Sequence, residues 1–111
     1  MKKIILTSVA VLMAGSASAA FIGDSHTIST VAEALKMRDD AMVTLEGNIQ
    51  KRLHKDKYLF ADKTGEITVE IEREDWRGID VTPQDTIQIR GEIDKDWFST
   101  EVDVDSVKIV K

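Results

Sequence analysis

Aliphatic residues take alternate positions in "VTLEGNIQK" (Val43, Leu45, Ile49) and again in "IQIRGEIDK" (Ile87, Ile89, Ile93). Period two is the signature of a strand with one buried face, so both stretches are predicted as strands. They are also one phrase written twice, at an offset of 44 residues (91 − 47 = 44), with Gly47 and Gly91 at the in-facing position between aliphatics. A glycine inside an otherwise good strand marks a bulge or a sharp bend. The repeat therefore predicts two equivalent strands that curve, against the plainer alternative of a chance match between two amphipathic strands.

The same reading orders the rest of the chain. "TVAEALKMRDD" sets Thr30 and Glu33 at capping-box spacing and Val31, Ala34, Leu35 and the Arg38 stem on one face, which predicts a short amphipathic helix from near Thr30. The lead before it, Phe21 to Ser29, is polar and reads as loosely ordered. The first strand runs from Ala41 to about Leu53, the loop "HKDK" leads into a second strand "YLFAD", and Asp62-Lys63-Thr64-Gly65 turns into a third, "EITVEI". In that turn Asp62 is expected to accept from nearby amides and Gly65 to take a positive φ. "EREDWRG" predicts one helical turn ended by Gly78, and Pro83 marks the turn before a fourth strand, Thr86 to about Asp94. The last strand points Val102 and Val104 one way and Val107 and Ile109 in the opposite phase, so a bulge is expected near Asp105-Ser106. Five short, kinked strands and one short N-terminal helix describe an all-β fold, a small and strongly curved antiparallel barrel.

The opening "MKKIILTSVAVLMAGSASAA" places Lys2 and Lys3 before an apolar run of roughly 11 residues and ends in Ala17-Ser18-Ala19, the pattern of a cleaved signal peptide. A membrane span needs roughly 20 apolar residues, so no insertion is expected once the signal is removed. The expected layout is a signal peptide over 1–19, a polar lead and short helix over 20–40 and a barrel over 41–111, in a soluble periplasmic monomer. Removing two lysines changes the formal charge from −5 to −7 (−5 − 2 = −7). Binding to a phosphate backbone draws on lysine and arginine, so nucleic acid is disfavoured and a basic or uncharged partner fits better. The chain has no cysteine, so no disulfide reinforces its small core.

"VTLEGNIQK", "KYLFADKTGEITVEI", Trp76, "VTPQDTIQIRGEID" and "EVDVDSVKIV", behind a signal and a short helix, resemble the bacterial OB-fold (BOF) family, the YgiW/YdeI-type periplasmic stress-tolerance proteins. The likeness spans about Val31 to Lys111, and "YLFADKTGEITVEI" is its most specific part. It implies a five-stranded OB-fold barrel, a periplasmic location, a role in envelope stress tolerance and no enzymatic activity. A fainter likeness to OB domains that read single-stranded nucleic acid follows from the fold.

Candidate chemistry is sparse. Cysteine nucleophiles are absent, and His26 and His54 stand in a lead and a loop, so no catalytic set, metal site or cofactor is predicted. Asp94, Asp96, Glu101, Asp103 and Asp105 lack the order and central glycine of a calcium loop, and Glu101, Asp103 and Asp105 read as a solvated outer face. In an OB barrel the loops joining strands one to two and four to five flank the binding face. Here the first, "KRLHKDKY", is basic and the second, "DKDWFSTE", is acidic and aromatic. The candidate ligand-binding residues are accordingly Arg52, Lys57 and Tyr58 from one loop and Trp97 and Phe98 from the other, with aromatic faces to stack on a ring. The alternative has the loops pairing with each other while Trp97 and Phe98 cap the barrel. Trp76, on the turn before strand four, is expected to plug a barrel end.

Two functions compete: a binding or adaptor module for a small envelope ligand (glycan fragment, cation or peptide), and an interaction module docking on an envelope protein. Exposure of Tyr58 and Trp97 around one depression would favour the first, and their burial the second. The export reading is checked by intact-mass measurement of the periplasmic form. It is expected to begin at Ala20, and a mass that retains Met1 to Ala19 overturns both localisation and the charge argument.

Overall fold

The computed structural model describes residues 27–110. The predicted signal peptide, its cleavage site after Ala19, His26 and Lys111 lie outside the described residues. The order of elements is α1 (Val31–Ala34), β1 (Met42–His54), β2 (Lys57–Asp62), β3 (Gly65–Glu70), α2 (Arg73–Trp76), β4 (Ile87–Lys95) and β5 (Thr100–Ile109). The strands close into a barrel in the order β1-β2-β3-β5-β4. One pair, β3 with β5, is parallel. An antiparallel ring was expected, but a closed ring with an odd number of strands cannot alternate direction all the way round, so one parallel pair is obligatory.

Each inward face follows from the alternation in sequence. Val43, Leu45, Ile49, Phe60, Ile67, Val69, Ile71, Ile87, Ile89, Ile93, Val102 and Val104 are all buried in one core. The repeated phrase forms an adjacent antiparallel pair whose register matches Leu45 with Ile89, Val43 with Gly91 and Gly47 with Ile87. Leu45 and Ile89 are equivalent positions of the two copies (45 + 44 = 89), so the phrase pairs with itself about a local two-fold axis. Each glycine thereby meets the first aliphatic of the other copy.

The glycines permit close backbone approach. A Cβ on Gly47 would overlap the Ala61 carbonyl oxygen and come within 3.0 Å of Phe60 Cζ. One on Gly91 would overlap the Asp103 carbonyl oxygen and lie 2.8 Å from Val104 Cα. At Gly47 β1 stops pairing with β4, and from Asn48 it pairs with β2, which requires the strand to turn between two sheets. Opposite Gly91 the β4–β5 register skips a residue, since Arg90 pairs with Ser106 and Gly91 with Val104. Asp105 is thus the bulge expected from the phase slip. Past it Val107 returns to the core while Ile109, expected to follow, is 45% exposed.

Helix α1 closes one end of the barrel. Thr30 caps it reciprocally with Glu33, as the spacing predicts, and Val31 and Ala34 are fully buried. Leu35, placed on the buried face from sequence, is instead the C-cap and is 40% exposed, because the helix lasts barely one turn. The preceding Ser29 forms a bridge to Leu45 in β1, so the end of the lead is ordered. Asp62 fastens the helix to the β2–β3 hairpin. Its Oδ2 accepts from Val31 N (2.9 Å), its Oδ1 accepts from Thr64 N (2.7 Å) and Thr64 Oγ1 (2.6 Å), and Thr64 Oγ1 accepts from Ala32 N (2.9 Å). Gly65 takes a positive φ, as expected, at a nearly extended 159°.

Burial acts to raise the Asp62 pKa, but hydrogen bonds from Thr64, Val31 and Gly65 outweigh it and hold the carboxyl below its ordinary value. A carboxyl depressed in the folded state stabilises the protein above the unfolded pKa, and that stability is lost as pH falls through the folded value. Asp62→Asn is therefore expected to melt lower than the parent at pH 7, with the gap narrowing as both are taken well below about pH 4. An undiminished gap in thermal melts at acid pH contradicts the assignment. For the glycines, Gly47→Val and Gly91→Val are each expected to cost on the order of 2 kcal/mol or more, through overlap with a backbone carbonyl that has nowhere to move. Melts of both variants matching the parent would refute the close-approach account.

Candidate functional site

Between the end of β3 and the start of β4 the chain passes beside β1, and that connector builds a pocket. Helix α2 ends at Arg77, left-handed at φ 54°, and Gly78, at φ 77°, continues the reversal. Ile79 N then donates to Trp76 O (3.0 Å), which folds the connector back beside the helix. Asp85 Oδ2 accepts from Thr82 N (2.8 Å) and Thr82 Oγ1 (3.2 Å), closing the turn around Pro83. Asn48 Nδ2 donates to the carbonyls of Pro83 (3.1 Å) and Asp85 (2.8 Å), so the connector is pinned to β1 one residue past the Gly47 bend.

The pocket so formed has a volume of about 530 Å³, within the range of small-molecule sites. Ile49 contributes its apolar base, Tyr58 and Trp76 one wall, and Ile79, Val81 and Pro83 the other. The Tyr58 and Trp76 rings meet edge to face, 5.4 Å between centroids at 82°, and both pack against the core. Lys51, Arg52 and Arg73 stand around this apolar interior with Asp80. Arg52 Nε donates to the Lys55 carbonyl (2.7 Å), which fixes the guanidinium over the β1–β2 turn.

The residues singled out from sequence separate here. Arg52 and Tyr58 line the pocket. Lys57 does not; its Nζ lies 3.0 Å from Glu101 Oε1 at the start of β5. The Glu101 hydrogen bond, and then the Glu101 charge, raise the Lys57 pKa. The basic and acidic loops thus do meet, through this ion pair. Trp97 and Phe98 neither line the pocket nor cap the barrel, for their exposures are 93% and 94%. They occupy the tip of the β4–β5 turn, where Asp96 Oδ1 accepts from Phe98 N and Ser99 N, both at 2.9 Å. Those two amide bonds, despite some desolvation, hold the Asp96 carboxyl below its ordinary value. Both connections are tight turns rather than long loops, the first with only Lys55 and Asp56 between the paired His54 and Lys57. They are too short to form the walls of a groove.

Trp76, expected as a barrel plug, does pack on the core yet also forms a pocket wall with Tyr58. Asn48 and the connector residues Ile79 and Val81 were missed. Asn inside an alternating strand is unfavourable by propensity, and that was the available signal that its side chain is committed elsewhere. Of the acidic groups, Asp80 lines the pocket and Glu72, Glu74 and Asp75 flank Arg73 on α2. Burial, followed by the charges of Asp94, Asp105 and Asp75, raises the Asp103 pKa, and Glu74, followed by burial and Asp75, raises that of Glu72. Among the described residues no group of three or more His, Cys, Asp or Glu is placed to hold a metal ion, and no helix is long and apolar enough to cross a membrane.

Comparison with known proteins agrees with this architecture. A family model described as bacterial OB fold (BOF) protein matches residues 11–109. Protein YgiW of Escherichia coli (strain K12) is 48% identical over 84 residues, 76% of this chain, and the chain spans just under two thirds (65%) of that relative's length. The calcium-regulated OB-fold protein CarO of Pseudomonas aeruginosa is 38% identical over 89 residues, 80% of this chain and 77% of the relative. The solved structure of YgiW from E. coli matches with a TM-score of 0.76 at 48% identity, over 78% of this chain and 92% of that one.

Proposed function

The chain belongs to the bacterial OB-fold (BOF) family, and from that premise we propose a non-enzymatic periplasmic binding module that holds a small envelope ligand and contributes to envelope stress tolerance. The observation that carries the binding role is the pocket beside the Gly47 bend, where Tyr58 and Trp76 form an aromatic corner and Arg52 reaches the rim. Apolar walls with a few fixed polar groups are what small-ligand sites are made of. The proposed seat is displaced from the space between the two turns to this pocket, keeping Arg52 and Tyr58. Periplasmic location rests on the signal-like opening of the sequence.

A second reading has its own observation. Adjacent large apolar side chains exposed as fully as Trp97 and Phe98, on a turn braced by Asp96, suit a protein-docking tip. Under that reading the protein is an interaction module on an envelope protein, with Lys57 bracing the base of the tip through Glu101.

Single-stranded nucleic acid fits neither surface. A strand needs a continuous positive path with stacking aromatics along it, whereas the pocket is a single local depression on a chain of net charge −5. The expected outcome with short labelled oligonucleotides at low salt, where electrostatic binding is strongest, is no micromolar binding by fluorescence anisotropy. Micromolar affinity that falls steeply with salt would revive nucleic-acid binding. In the same preparation, chemical-shift mapping with glycan fragments and peptides tests the binding role: a ligand is expected to move Arg52, Tyr58 and Trp76 together. Shifts confined to Trp97 and Phe98, or to residues 30–37, favour docking instead.

A further inference from the structure

We propose that the pocket selects small anions joined to a flat apolar ring, that is, aromatic carboxylates, sulfonates or phosphates; the inference rests on the pocket being the binding site. Its first support is a reversal of sign. The lining carries three cations, Lys51, Arg52 and Arg73, and one anion, Asp80, a balance of +2 (3 − 1 = 2), on a chain whose formal charge is −5. On the charge of the whole chain a basic partner fits better, but a ligand meets the local field, and low-dielectric walls focus it.

The second support is that these cations are uncompensated. Among the described residues the one ion pair is Lys57 with Glu101, so no carboxylate lies within 4.0 Å of Lys51, Arg52 or Arg73. The chain has 20 acidic residues against 15 basic ones, so partners were not in short supply. Glu72, Glu74 and Asp75 are neighbours of Arg73 in sequence, yet none pairs with it, and the charges around Glu72 and Asp103 repel one another instead. Arg52 is also pre-oriented, since the Lys55 carbonyl occupies its Nε and leaves its terminal amino groups to donate. An oriented guanidinium is suited to a planar or tetrahedral oxyanion.

The third support concerns the body of the ligand. Tyr58 and Trp76 meet at 82°, which makes a corner of two aromatic planes, and Ile49, Val81 and Pro83 complete the apolar lining. A ring packs against such a corner, and the rim then meets its charged substituent. Polyamines and cationic peptides face like charge there.

A matched pair of probes separates the two halves of this inference. The anion 1-anilinonaphthalene-8-sulfonate and the neutral N-phenyl-1-naphthylamine share one ring system and differ by the sulfonate. The chain has two tryptophans, so the indole N–H signals of Trp76 and Trp97 report the pocket and the turn tip separately. Titration of the sulfonate is expected to move the Trp76 indole and the Arg52 amide, leave Trp97 in place, and give a Kd about tenfold tighter than the neutral probe, the equivalent of one charge-assisted hydrogen bond. The double variant Arg52→Gln, Arg73→Gln is expected to bring the two affinities together, with an otherwise unchanged amide spectrum showing that the barrel is intact. Equal affinity of both probes at Trp76 in the parent overturns the anion preference and leaves the pocket as the site. If neither probe moves Trp76, or only Trp97 responds, both the preference and the pocket reading fall.

Discussion

Two backbone carbonyls, those of Ala61 and Asp103, occupy space that a side chain on Gly47 or Gly91 would need. Everything else in the barrel is arranged around those contacts. At the first, β1 passes from β4 to β2; at the second, β4 lies against the Asp105 bulge of β5. A strand that serves two neighbours must bend between them, and the bend brings backbone against backbone. The pocket inherits its position from this, since Asn48 and Ile49 follow the bend directly, one anchoring the connector and the other lying beneath the aromatic wall.

The repeated phrase acquires a geometric meaning from the same contacts. Its two copies pair about Leu45 and Ile89, so what reads as duplication along the chain is a local symmetry in space. Alternation and an internal glycine made both strands, the capping box and the β5 phase slip readable, because each depends on neighbours in sequence. The parallel β3–β5 pair, the exposure of Leu35 and Ile109, and the pocket were not readable in this way. They depend on how many strands close the ring, on how soon a helix stops, and on a connector returning to β1 through the Asn48 side chain. The two connections expected to flank a binding face are tight turns at Lys55-Asp56 and Asp96–Ser99, and Trp97 and Phe98 stand out from the second into solvent.

Charge is sorted on this small surface rather than mixed. Asp62 spends its carboxylate on amide and hydroxyl groups that tie α1 to the β2–β3 hairpin, and Asp96 does the same for the turn below Trp97. Glu101 neutralises Lys57. With these acids committed and others crowded around Asp103, the pocket cations are left as the unbalanced charge of that region.

The parallel seam is also the shortest pairing in the ring: β3 and β5 match over Thr68, Val69 and Glu70 alone, whereas β4 and β5 match from Ile87 to Lys95. With so few hydrogen bonds to break, it is where the barrel opens at least cost, and opening it unrolls the molecule into a curved five-stranded sheet ordered β3-β2-β1-β4-β5. The β1 bend lies in the middle of that sheet, whereas α2, which carries Arg73 and Trp76, follows β3 and packs on β5, so it bridges the two edges. Opening the seam would therefore pull at the α2 wall of the pocket, which ties the shape of the pocket to the closure of the barrel.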